Sequence, residues 1–281
     1  MKSGSSTLTR LLRAHPSIFM ARKPKEPSYF VEREQLRQVY PAMEQMGFWK
    51  SEESYLQLFA DAGDRPIVGE ASQNYARLSR VIGVAERIAR FNPRARILYI
   101  MRHPVKRTIS HYWYMVNFFG EGRSMLKAVR EDPDYCETSH YAMQLRPYLD
   151  LFGRDRVKTL TLERLGTAPE EVMRDLYDWL GVDPDFVPPT LGERRNVTGE
   201  ESVQVRGMGL LHLIRHSSAW SAAGRFAPPQ LRNLARGLAV KHVPRNEVST
   251  VEVKAYLEPI QAEQTRELAE LLGASFEEWR F

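Results

Sequence analysis

Lysine, glycine and hydroxyl side chains crowd the start of the chain, Lys2-Ser3-Gly4-Ser5-Ser6-Thr7, and run into an apolar pattern carried by Leu8, Leu11 and Leu12. Small residues let backbone N–H groups converge on an anion. A helix that follows adds the positive end of its dipole, and lysine adds a full charge. That is the makeup of a phosphate cradle. A second anion-binding set, Arg102-His103-Pro104-Val105-Lys106-Arg107-Thr108-Ile109-Ser110, lies about a hundred residues further on. Arg102 stands where the strongest strand pattern ends, and ligands of open α/β sheets collect outside the carboxyl ends of strands. Its planar guanidinium suits an oxyanion. Ser110 follows about two helical turns later and brings a hydroxyl toward the same phosphate. Two separate grips imply a nucleotide with phosphates at two places. Read alone, the first segment is also an ordinary polar terminus and the second an ordinary basic helix start.

The elements that must position these residues alternate. Helical patterns cover Ser5 to Arg13, Glu32 to Met46, Ser51 to Ala60, Ser79 to Arg90, Val105 to Asn117, His140 to Phe152, Pro169 to Leu180 and Val253 to Leu272. Ser51 is a plausible N-cap, and Pro169 with Gly181 gives the usual proline-start, glycine-end asymmetry. Strand patterns cover Pro66 to Glu70, Ala95 to Met101 and Val157 to Leu162. His15-Pro16 stops the first helix. Alternation of this kind predicts an α/β fold, a mostly parallel sheet with helices on both faces. A phosphate loop normally follows a buried strand. Only Met1 precedes Lys2, so the reading is a first strand missing or truncated, with the native start upstream. Residues 1–281 read as one domain, in which 188–244 is a variable segment, an acceptor-side insertion or lid.

Composition narrows the function. A chain of 281 residues, 43% hydrophobic, has enough apolar side chain for a sizeable core. The net charge of +5 suits an anionic cofactor, and the absence of a dense Lys/Arg block argues against nucleic acid. Cys136 is the single cysteine, which excludes an internal disulfide and a cysteine zinc cluster. No apolar run approaches the ~20 residues that span a bilayer. The expectation is a cytoplasmic protein that needs no metal.

The two anion-binding segments, in this order and spacing, resemble those of the sulfotransferases that use 3′-phosphoadenosine 5′-phosphosulfate (PAPS). In that family a Lys-x-Gly-Ser/Thr-Ser/Thr-x-Leu loop holds the 5′-phosphosulfate, and an Arg-x-Pro-x-x-Arg-x-x-Ser-x-Tyr segment holds the 3′-phosphate. The matching residues are Lys2, Gly4, Ser5, Ser6 and Leu8, then Arg102, Pro104, Arg107, Ser110 and Tyr112. Lys25-Glu26-Pro27-Ser28-Tyr29-Phe30 resembles a Lys-Glu-x-x-Phe/Tyr-Phe segment of the glycan branch, whose glutamate is the catalytic base. Glu70-Ala71-Ser72-Gln73-Asn74-Tyr75 resembles a following Glu-Lys-Ser/Thr-Pro-x-Tyr segment but departs from it at Ala71 and Gln73. Leu162-Glu163-Arg164-Leu165 and Trp179-Leu180-Gly181 also match, and the end of the chain is similar to bacterial members. The resemblance implies a P-loop-type fold and PAPS as donor. It implies a cofactor set of Lys2, Ser3, Gly4, Ser5, Ser6, Thr7, Arg102 and Ser110.

In-line sulfuryl transfer needs a cation toward the leaving phosphate and a base for a neutral acceptor hydroxyl. The resemblance gives those roles to Lys2 and Glu26, and it implies a carbohydrate or small-metabolite acceptor. Glu26 also reads as a loop carboxylate paired with Lys23 or Lys25. Rival bases are His15, in a helix stop where a structural role fits, and Glu70, at a strand end. His103 is expected to orient the Arg102 turn, and Asn196 to reach the nucleotide from a late loop. Tyr112, Trp113, Tyr114, Phe118 and Phe119 read as core, and Tyr29 and Phe30 as rings for stacking on acceptor or adenine. Two other classes compete. A small-molecule kinase is weakened by the missing Gly-x-x-x-x-Gly-Lys-Ser/Thr spacing. A nucleotide-binding module without turnover is the other.

Overall fold

A computed structural model describes residues 1–192, 201–205, 240–244 and 248–281. Asn196 therefore lies outside the described residues, as does most of 188–244. Helix α1 (Ser5–Ala14) follows the first loop and leads into strand β1 (Ile18–Met20). Helices α2 (Arg33–Val39), α3 (Pro41–Met46) and α4 (Glu52–Leu56) precede β2 (Ile67–Gly69). Then come α5 (Val84–Phe91), β3 (Ile97–Met101), α6 (Pro104–Phe119), α7 (Met125–Glu131), α8 (Asp134–Glu137) and α9 (Tyr141–Phe152). Strand β4 (Val157–Thr161), α10 (Leu162–Thr167) and α11 (Pro169–Leu180) follow. A short antiparallel ladder of β5 (Glu201–Val205) and β6 (Val240–Pro244) precedes the closing helix α12 (Val251–Leu272).

The expectation of one mostly parallel sheet needs correction. β1 pairs with β2, Ile18 opposite Ile67, and β3 pairs with β4, Ile97 opposite Val157, both parallel. No ladder joins the two pairs. Strands pair only at about 4.8 Å, and among the described residues none bridges them. Helices do cover both faces. Along β3 successive side chains alternate: Leu98 and Ile100 pack with Leu8, Leu11, Leu12, Ile18, Met173 and Leu176. Ile97, Tyr99 and Met101 pack with Val84, Ile88, Tyr141, Leu145 and Leu268. A third cluster binds α6 to α7 and α12 through Trp113, Val116, Ala128 and Leu257.

Local chemistry explains where element ends differ from expectation. The long helix expected to Met46 breaks at Tyr40, because Pro41 has no N–H to give and disfavours a helical residue before it. Residues 79–83 stay outside α5. Strand β1 is too short, at three residues, to show an alternating pattern, and its neighbour β2 identifies it. Ser51 caps α4, and α11 ends at Gly181 as its sequence predicts.

Candidate functional site

The first loop rests on the carboxyl ends of β3 and β4. Gly4 adopts φ +91, and a Cβ there would lie 2.5 Å from Leu162 Cδ1 and 3.5 Å from Ile100 Cδ1. Only glycine satisfies both the turn and the close approach. The Gly4 carbonyl accepts the N–H groups of Thr7 (3.0 Å) and Leu8 (3.1 Å). The first N–H groups of a helix have no partner within it. α1 has neither a side-chain N-cap nor an acidic residue in its first turn. Its positive end is thus presented by Ser5, Ser6 and Thr7 without a built-in anion.

Arg102 is brought to this loop. Its Nη1 donates to the Lys2 carbonyl at 3.4 Å. Tyr141, on α9, ties the two anion-binding segments together: its hydroxyl donates to the Arg102 carbonyl (2.6 Å), accepts the Arg102 N–H (3.2 Å) and meets the buried Ser3 side chain. Burial lowers the Arg102 pKa, opposed by Glu163 and Tyr141, so a nearby anion would relieve a desolvated charge. Ser110 lies on α6 with its Oγ buried and unpartnered among the described residues. A buried hydroxyl without a partner is costly, and a ligand oxygen would satisfy it. Arg107 takes a different part. It is wholly buried and donates to Ser139 Oγ, the Tyr135 carbonyl and Thr108 Oγ1. It anchors α6 to the segment that carries α8. Tyr112 likewise donates to the Arg123 carbonyl at 2.8 Å.

His103 holds the Arg102 turn: its N–H donates to Glu163 Oε1 (3.1 Å) and its Nε2 meets the Arg280 carbonyl (2.9 Å). Glu163 also accepts Trp279 Nε1 at 3.1 Å. Lys2 sends its Nζ to 5.3 Å from the Tyr114 ring centroid. Lys25 Nζ donates to Ser6 Oγ at 2.6 Å and pairs with Glu26 Oε1 at 3.4 Å, which carries the Glu26 loop to the mouth of α1. Glu26 acts electrostatically on Tyr40, Glu70 and Tyr114. Lys2 with Tyr114, and Lys25 with Ser6 and Glu26, therefore meet around the mouth of α1, and the Glu26 charge is felt at Glu70.

Two sequence readings change, while the structural role that fitted His15 is the one the fold gives it. His15 is buried between Tyr177 and Phe186, with Nδ1 accepting the Ser17 N–H and Nε2 on the Asp183 carbonyl, so it is a packed structural histidine. Tyr29 stacks on Tyr55 at 4.1 Å and Phe30 is buried against the same ring, which removes both from stacking on a ligand. Of the aromatic run on α6, Tyr112 and Trp113 are core, but Phe118 is 70% and Phe119 43% exposed, and both contact Tyr114. Tyr141 escaped sequence reasoning because it reaches the loop from α9, and Tyr114 read as core because nothing in the α6 pattern shows that its ring meets Lys2. Among the described residues no three His, Cys, Asp or Glu side chains form a metal-binding group, and no helix is long and apolar enough to cross a membrane.

Comparison with known proteins adds to this geometry. A model described as a sulfotransferase family matches residues 1–186. The crystal structure of a sulfotransferase from Alicyclobacillus acidocaldarius is similar over 100% of this chain and 95% of that one, with a TM-score of 0.66 and 27% identity. The sulfotransferase domain from the curacin biosynthetic pathway matches at a TM-score of 0.45 and 18% identity, over 70% of this chain and 77% of that one. No curated protein shows a significant match.

Proposed function

The chain belongs to the sulfotransferase family, and from that premise we propose that it moves a sulfuryl group from PAPS to a hydroxyl of a carbohydrate or small-metabolite acceptor. The observation that carries the donor assignment is the meeting of Arg102 with the loop of Lys2 at the open end of α1. PAPS supplies an activated sulfuryl group on a phosphate oxygen. The N–H groups of Ser5 and Ser6 and the Thr7 hydroxyl, with Lys2 and Ser3, hold the 5′-side anion, and Gly4 lets the backbone come close. Arg102 and Ser110 hold the 3′-phosphate. Lys2 stabilises charge that develops on the leaving phosphate. Glu26 accepts the acceptor's proton, and Lys25 steers its carboxylate. No metal is assigned a role.

Kinetics with labelled PAPS and an acceptor panel test the reading. Lys2→Ala lowers kcat by about 10²-fold, and Glu26→Gln by roughly 10²–10⁴-fold. Arg102→Ala weakens binding of the desulfonated cofactor by about 1.5–3 kcal/mol and Ser110→Ala by about 1 kcal/mol, with smaller effects on kcat. Thermal stabilisation by ATP but not by PAPS or its desulfonated product would favour the kinase class. Full activity in Glu26→Gln would remove that residue as base.

A further inference from the structure

The loop that carries Glu26 is short, and its backbone is unusual. Ser28 is wholly buried at φ +51, a left-handed conformation that non-glycine residues keep only where their surroundings impose it. The surroundings are the segment after β2. The Ser28 N–H donates to Ser72 Oγ at 2.9 Å, and Asn74 Nδ2 donates to Ser28 Oγ at 3.2 Å. The Phe30 N–H donates to the Tyr75 hydroxyl at 3.3 Å. Both receiving hydroxyls answer to one carboxyl. Ser72 Oγ donates to Glu70 Oε2 at 2.8 Å. The Tyr75 hydroxyl, which accepts the Phe30 N–H, faces the same carboxyl, whose Oε1 is buried without a hydrogen-bond partner among the described residues. A hydroxyl rotates to suit its strongest acceptor. With its proton committed to Glu70, Ser72 can only accept from the loop, and a Tyr75 proton turned to the same carboxyl leaves that hydroxyl in the same role.

We propose that Glu70 is the positioning residue of the Glu26 loop: its carboxyl fixes the direction of the Ser72 and Tyr75 hydroxyls, and these pin the backbone at Ser28 and Phe30 so that Glu26 faces the mouth of α1. The claim rests on the reading of Glu26 as base. Glu70 sits at the carboxyl end of β2, next to the cleft but one layer behind it. Burial raises its pKa to about 7, the Tyr75 and Ser72 hydroxyls oppose that rise, and Glu26 adds to it. The other titratable groups that feel Glu70 are Tyr55 on α4 and Tyr148 on α9. At neutral pH Glu70 is therefore poised between a neutral carboxyl and a second negative charge beside Glu26.

The experiment pairs hydrogen exchange with kinetics on the full chain. Exchange of the segment 25–31 is followed by mass spectrometry in wild type, Glu70→Gln, Glu70→Ala and Ser72→Ala, with 169–180 as the folding control. Glu70→Ala speeds exchange of the segment by about tenfold, on the scale of two lost hydrogen bonds. Ser72→Ala has a smaller effect, Glu70→Gln stays near wild type, and the control is unchanged. With PAPS, Glu70→Ala lowers kcat on the order of 10²-fold, the cost of a base displaced by about 1 Å, at unchanged KM for PAPS. Glu70→Gln restores most of it. Unaltered exchange in Glu70→Ala overturns the proposal. So does a Glu70→Gln as inactive as Glu26→Gln, which would make Glu70 the base. Absence of sulfuryl transfer by the wild-type chain sinks the functional reading instead, and the exchange data then decide the positioning of the loop by themselves.

Discussion

At the scale of single residues, burial decides which of the polar side chains do chemistry and which do construction. Arg102 and Arg107 stand five apart in one motif. Arg107 spends its guanidinium on Ser139, Tyr135 and Thr108, whereas Arg102 keeps its fork at the first loop. Glu70 shows the reverse case, a carboxyl withdrawn from water and kept near a second one. Burial holds its folded-state pKa at about 7, above the ordinary 4.5 of a glutamate. The folded protein therefore binds the proton more tightly than the unfolded chain. The associated stability is fully present below about pH 4.5 and is lost as pH rises through about 7. Glu70→Gln, which cannot ionise, should melt above the wild type at pH 8 and level with it near pH 5. Thermal denaturation across that range checks this. Equal melting temperatures at pH 8 would mean that the carboxyl is better solvated than its surroundings indicate.

Elements matter here mainly through their ends. The carboxyl ends of β2, β3 and β4 deliver Glu70, Arg102 and the Leu162 wall. The amino end of α1 supplies the N–H groups of Ser5 and Ser6, which have no partner within the helix. The turn between them depends on Gly4, where φ +91 and the Leu162 contact leave no room for a side chain. Gly4→Ala should cost at least about 1–2 kcal/mol from the left-handed backbone alone. It should also push the loop off β3, so affinity for the desulfonated cofactor falls more than stability does. Calorimetry beside a denaturant titration separates the two losses. A variant that binds normally would show that the loop is free to reseat. α6 contributes differently. Its first turns carry Arg107 and Ser110 inward, while its last turn puts Phe118 and Phe119 outside against Tyr114, the ring that Lys2 faces.

On the scale of the molecule, the chain's end closes the site from behind. Trp279 is buried and donates to Glu163, the Arg280 carbonyl meets His103, and Thr161 Oγ1 donates to Glu278 Oε1 at 2.7 Å. Removing residues 276–281 should cost about 3–5 kcal/mol, the scale of a lost buried tryptophan. It should also weaken nucleotide binding, because His103 and Glu163 lose what orients them. Binding unchanged in the shortened chain would confine these residues to packing. Much of this was legible in the sequence. The Lys2–Leu8 and Arg102–Tyr112 segments declare anion chemistry through residue type and spacing. The ends of α11 and the course of β3 follow from proline, glycine and an unbroken apolar run. These are local properties, carried by neighbours in the chain. The rest came from contacts between residues far apart. Nothing near position 18 marks β1 until Ile67 lies beside it. No feature of Tyr29, His15 or Phe118 separates core from surface. The sequence by itself determined which groups can bind anions and roughly where the backbone must turn. Only the tertiary structure decided which of them lose water, since desolvation of Glu70, Arg102 and Ser110 is imposed by side chains from distant segments.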